Sequence, residues 1–162
     1  MQSPPPPPPP SGYHRAPQPG HYPGPPPPYR QPMRTPNAAM SWALGLAVFV
    51  LFIPFVSSVL AGIAMAVAGR LDRHKGPLAA ENGRRAANWG LTYALATVLL
   101  GGTHFGVLFV VKSTQDFYPL GIFLTLWGVI SVVHVIVSIV GVVKANSQKL
   151  VRWNGIPFFR SP

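Results

Sequence analysis

The sequence predicts an all-α integral membrane protein with three hydrophobic segments. The first is broken at Pro54, giving three to four transmembrane helices behind a disordered proline-rich N-terminal tail. Three observations carry this expectation. Charged residues make up 10% of the chain and hydrophobic residues 48%, whereas soluble domains are roughly 25% charged. Charge-free runs lie at about 38–69, 86–111 and 118–143, each long enough to enter a hydrocarbon core about 30 Å thick. Between the first two lies RLDRHKGPLAAENGRRAANW, with Arg70, Arg73, Lys75, Arg84 and Arg85 against Asp72 and Glu81. Lys and Arg are retained on the cytoplasmic side of spans, so this loop orients the chain.

The totals exclude several classes. The 162 residues leave room for one small domain, divided as a tail over 1–36 and a helical membrane domain over 37–160. The chain has no cysteine, which rules out disulfides, thiolate metal sites and Cys nucleophiles. The net charge of +10 raises the question of nucleic acid. The basic residues flank apolar runs, however, and no RNA- or DNA-binding motif appears, so nucleic acid is not an expected partner.

The 21 prolines are concentrated in residues 1–36. Proline fixes φ and lacks a backbone donor, so this stretch samples polyproline II and builds no core. No apolar run of signal-peptide type precedes residue 38. Pro26-Pro27-Pro28-Tyr29 has the form that proline-recognition grooves accept, which makes a protein partner of the tail one reading and a flexible spacer the other.

In the first apolar segment Asn37, after Pro36, is placed to cap a helix. Pro54 interrupts the run, and Ser57 and Ser58 follow where they can satisfy freed backbone groups. Two geometries fit. One is a single tilted, kinked span. The other is a pair of short helices hinged at Pro54, which returns the tail to the side it came from; Arg30 and Arg34 favour the second. Gly62 and Ala66, and Ala64 and Ala68, give small-xxx-small spacings that permit close helix contact.

The loop turns at Gly76-Pro77 and is expected to resume as an interfacial helix at Ala79–Ala87. In the second span Asn88, Thr92, Leu95, Leu99, Gly102 and Gly106 share one face. Gly102 and Gly106 form a GxxxG step, and the face reads either as a packing seam with Asn88 bonding across it or as one whose Asn88 is only a short polar residue capping the interface. His104 lies opposite, with Tyr93 and Thr97. After a short, nearly neutral link containing Lys112 and Asp116, the third span carries Ser131, His134 and Ser138 on a small, polar stripe expected to face other helices. His104 and His134 prompt a proton-relay or metal reading. Neither has a carboxylate in its span and two ligands do not define a site, so packing is the expected role and no metal or cofactor is expected.

Lys144-Ala145-Asn146 ends the last helix. Beyond it Trp153, Phe158 and Phe159 alternate with Lys149, Arg152 and Arg160, a pattern suited to anionic headgroups. Arg70, Arg73, Lys75, Arg84, Arg85, Lys144 and Arg152 are the expected lipid-headgroup and topology set. The pieces Ile53-Pro54-Phe55, Glu81-Asn82-Gly83, Ala86-Ala87-Asn88-Trp89, Val143-Lys144-Ala145-Asn146 and Val151-Arg152-Trp153 resemble a family of small bacterial membrane proteins of uncharacterised function. That family is grouped with the small spanning subunit of the chloroplast inner-envelope protein translocon. The chain has Asn82 where the family usually has His, and Trp153-Asn154 where it has Tyr-Pro. The resemblance implies a helical bundle of three or four segments.

No nucleophile–base–acid set and no phosphate-binding glycine loop is present, so the expectation is not an enzyme. It is a multi-pass protein of the bacterial plasma (inner) membrane, with its C-terminus cytoplasmic. The leading reading is a scaffold or accessory subunit in contact with anionic lipid and partners. The alternative is a channel-like or translocon-related subunit acting as a homo-oligomer.

Overall fold

Apart from Ser3, the computed structural model describes residues 35–50, 53, 55–110 and 120–160. The expected disorder of the tail, the hinge residue Pro54 and the link at 111–119 lie outside those residues.

Asn37 Oδ1 accepts the Ala39 N–H at 3.0 Å, and helix α1 (Ala39–Ala43) starts there. It tightens into a 3-10 turn over Leu44–Phe49. Helix α2 (Val56–Leu71) begins a few residues later and runs back along the first arm. At its start the Ile53 carbonyl accepts both the Ser57 N–H, at 3.1 Å, and the Ser57 hydroxyl, at 2.9 Å. This is the backbone satisfaction that an interrupted apolar helix needs in lipid.

A 3-10 turn at Asp72–His74 and Gly76, at φ 117°, lead into helix α3 (Pro77–Val110). Pro77 opens α3 because the first helical position needs no N–H. No separate interfacial helix forms at 79–87. Alanines, Glu81, Arg84 and Arg85 are good helix formers, and nothing among them stops the helix, so α3 runs for 34 residues. At about 1.5 Å per residue it is some 51 Å long, so its first turns stand outside a core of about 30 Å. Helix α4 (Leu120–Asn146) ends in a cap with Gln148 at φ 55°. The Lys149 N–H donates to the Lys144 carbonyl at 3.0 Å and the Gln148 N–H to Ala145 at 2.9 Å, the two bonds of a Schellman motif.

Among the described residues every element is helical. Two helices, α3 and α4, are long and apolar enough to cross a membrane; the first segment is divided into shorter pieces. That is the difference from the expected three to four spans.

Gly62 sits against the Gly90 carbonyl and Gly69 against Gly83, so α2 and α3 touch backbone to backbone. Trp42, Met65, Ala86, Trp89, Val137, Ala145 and Val151 form the core around this seam. On the outside, Val98, Leu99, Phe105 and Phe109 of α3 and Val129, Val132, Ile136 and Val143 of α4 are exposed. An apolar belt of that extent belongs to a protein surrounded by lipid.

Candidate functional site

Several polar side chains of the helices gather in one buried layer. The His134 ring stacks on Tyr93 with centroids 3.7 Å apart. Its Nε2 donates to the Gly45 carbonyl at 3.0 Å, on the 3-10 arm. Tyr93 donates its hydroxyl to Ser58 Oγ at 2.8 Å and lies 2.9 Å from Ser131 Oγ, which bonds the Trp127 carbonyl at 2.8 Å. Ser138 is fully buried beside Gly45. The layer therefore joins the 3-10 arm, α2, α3 and α4. Each of these bonds spares a polar group the cost of standing unpaired in an apolar medium.

A second cluster lies at the basic end. Glu81 accepts two bonds from Arg84, at 2.8 and 2.7 Å, and one from Arg85 at 2.7 Å. The Arg84 bonds, opposed by burial and helped by Arg85, hold the Glu81 carboxyl at about 2 against its usual 4.5. The same pairing raises Arg84. Both arginines also reach the C-terminal segment: Arg84 donates to the Phe159 carbonyl at 3.1 Å and Arg85 to Val151 at 2.6 Å.

That segment, 147–160, is a strap folded back onto α3, whose side chains bond its backbone. Asn82 Oδ1 accepts the Val151 N–H at 2.9 Å, and its Nδ2 donates to the Lys149 and Asn37 carbonyls, each at 3.2 Å. Asn88 accepts from the Phe159 N–H at 2.8 Å and donates to the Phe159 carbonyl at 3.0 Å and to Asn154 Oδ1 at 3.1 Å. Thr92 accepts from the Ile156 N–H at 2.8 Å. Arg70 lies over the Phe159 ring, 4.5 Å from its centroid, and Trp153 meets Trp89 edge-on at 5.9 Å. Irregular backbone near the hydrocarbon is tolerated when its polar groups are matched in this way.

The residues singled out in the sequence fall in different places. Ser131, His134 and Ser138 meet in the polar layer, and Asn88 holds the strap. Gly102 and Gly106 are exposed, and a Cβ on either would meet nothing within 4 Å among the described residues. His104 is apart from His134: its Nδ1 is 3.2 Å from the Leu120 carbonyl. Among the described residues no group of three or more His, Asp or Glu is placed to hold a metal ion.

Of the expected headgroup cations, Arg84 and Arg85 are tied to Glu81 and Lys75 to Asp72, at 2.8 Å. Arg70, Arg73 and Arg152 are exposed, as are Lys149 and Arg160, with no carboxylate partner among the described residues.

In the sequence Ser58 is placed only for freed backbone groups, Tyr93 only on the face of His104 and Asn82 only as a departure from a family His; the bonds they make, and the buried Ser41–Asp72 bond at 2.5 Å, leave no local pattern. The α2–α3 seam did leave a signal. Gly83, Ala87, Gly90, Ala94, Thr97 and Gly101 recur at alternating steps of four and three, as do Ser58, Gly62, Met65 and Gly69. That spacing is the mark of one helix face packed on another.

A hairpin of short apolar helices, two long spans, a buried polar layer and a polar-bonded strap together define a small α-helical membrane protein whose polar residues hold segments to one another. The chain belongs to the MamF/MmsF family, described as a magnetosome magnetite crystal formation protein family, whose model matches residues 35–159. The resemblance to a small membrane-protein family holds at that level, and the match carries no link to the chloroplast translocon subunit. No curated protein and no solved structure matches the chain.

Proposed function

We propose that this protein serves magnetite crystal formation as a non-enzymatic accessory or scaffold subunit of the membrane. Anionic lipid meets its basic end, and partners meet its tail, basic loop or C-terminal surface. The observation that carries the reading is the division of the polar residues. Most of the buried ones join helices or hold the strap, while Arg70, Arg73, Lys149, Arg152 and Arg160 are left exposed at one end. Exposed cations at a membrane face attract anionic headgroups at about 1 kcal/mol each. In the bacterial inner membrane the basic loop and C-terminus would be cytoplasmic by the positive-inside rule.

The test is purification from native membranes with and without residues 1–36. A changed set of co-purifying proteins is expected, and an unchanged set would remove the tail from the reading. In parallel, Arg73→Gln with Arg152→Gln should reduce capture of anionic lipid from mixed-lipid nanodiscs.

The second reading, an oligomeric channel- or translocon-like subunit, draws on the polar stripe of α4. In one chain that stripe faces Gly45 and Tyr93, so it takes second place. Crosslinks between chains from positions beside Ser131 and Ser138 would revive it.

A further inference from the structure

We infer that the first apolar segment is a re-entrant hairpin. It enters and leaves the bilayer on the face of the basic loop, so the chain crosses the membrane twice and its proline-rich N-terminus shares a compartment with the basic loop and the C-terminus.

The entry is tied to that face at three levels. Thr35 Oγ1 donates to Gln148 Oε1 at 2.6 Å, and Gln148 Nε2 returns a bond to the Thr35 carbonyl at 3.2 Å. Two residues later, the Asn37 carbonyl shares the Asn82 amide with Lys149. Then Ser41 bonds Asp72, which pairs with Lys75 of the loop. Residues 35–41 therefore lie beside both the loop and the exit of α4.

The other end of the hairpin does not reach the far side. Phe55, at the start of the return arm, rests on Trp127, with centroids 4.6 Å apart, and on Phe105 at 5.9 Å, beside Gly101. Helix α3 continues from Gly101 to Val110, a further 13 Å or so at about 1.5 Å per residue. The return arm α2 has 16 residues, or about 24 Å, and the entry arm is shorter still, against a core of about 30 Å.

A hairpin ending inside the bilayer must satisfy its irregular backbone within the protein. Here the Gly45 carbonyl takes His134 Nε2, and the Ile53 carbonyl takes Ser57. Charge agrees. This topology puts Arg15, Arg30 and Arg34 on the side of the basic loop and leaves Lys112, with Asp116 close by in sequence, across the membrane. A single kinked span would put those three arginines on the wrong side of the positive-inside rule.

The chain has no cysteine, so single substitutions in the full-length protein report sidedness directly. Ser3→Cys, His74→Cys, Ser161→Cys, Ser113→Cys and Ile53→Cys would each be exposed to a membrane-impermeant maleimide in intact cells and in inverted vesicles, with detergent-treated membranes as the measure of full reaction. Modification of S3C, H74C and S161C from one side and of S113C from the other is expected, with I53C reacting only after detergent. Reaction of S3C from the side of S113C would overturn the re-entrant hairpin in favour of a crossing segment. Reaction of I53C from that side would overturn it in favour of two complete spans. Neither result depends on whether the tail recruits partners, which the deletion of residues 1–36 tests separately.

Discussion

Gly62 and Gly90 face each other across the α2–α3 seam, and a Cβ on Gly90 would come 2.7 Å from the Met65 Cβ as well as against the Gly62 carbonyl. Backbone cannot yield as a flexible side chain does. Gly90→Ala should therefore destabilise the fold by about 1–3 kcal/mol, the usual cost of overpacking. Gly106→Ala, in open space, should leave thermal unfolding in detergent unchanged. Equal effects of the two would show that the seam is elsewhere. The Tyr93 hydroxyl bridges Ser58 and Ser131, and Tyr93→Phe removes both bonds while keeping the stack on His134. Single polar contacts between membrane helices average about 0.6 kcal/mol, so a loss of roughly 1 kcal/mol is expected in the same unfolding measurement. Glu81 adds a pH dependence. Its folded-state pKa is about 2 against 4.5 unpaired, so its contribution is complete above 4.5 and is lost as pH falls toward 2. Glu81→Gln should flatten the stability profile in that acid range and leave the shape of the profile near neutrality alone.

At the scale of elements, the strap and the hairpin are held by the same few side chains. Asn82 bonds the entry to α1 and the exit of α4 at once, while Asn88 and Thr92 hold the rest of the strap. Asn88→Ala leaves the Phe159 N–H and carbonyl without that partner. It should free residues 152–160 for protease cleavage in detergent without unfolding the spans; a strap as resistant as before would place its attachment elsewhere. Composition gave the strap an expected place at the membrane surface, from Trp153, Phe158 and Phe159 among cations. Its course along α3 was not legible. The bonds run from side chains to strap backbone, and every residue's backbone offers the same two groups. The packing seam was legible in principle, since small residues at steps of four and three are a pattern. The GxxxG at Gly102 and Gly106 satisfies a shorter version of the same rule, and one helix seen alone does not say which of its faces has a neighbour.

For the whole molecule, membrane residence and the break in the first apolar segment could be read from residue order. Each apolar side chain contributes to transfer from water independently of its neighbours, and each Lys or Arg biases the side of its own loop, so sums along the chain carry the information. That is why the sequence by itself determined that lipid surrounds the helices, where the apolar segments lie and which loop carries the charge. The tertiary structure alone decided that the first segment folds back as two short arms. It also decided that His134 meets a carbonyl 89 residues away and that Asn82 ties the entry to α1 to the exit of α4. Those outcomes depend on pairs of groups distant in the chain. A pair contributes only once packing has brought both members to hydrogen-bond distance, and nothing in the order of residues measures that distance.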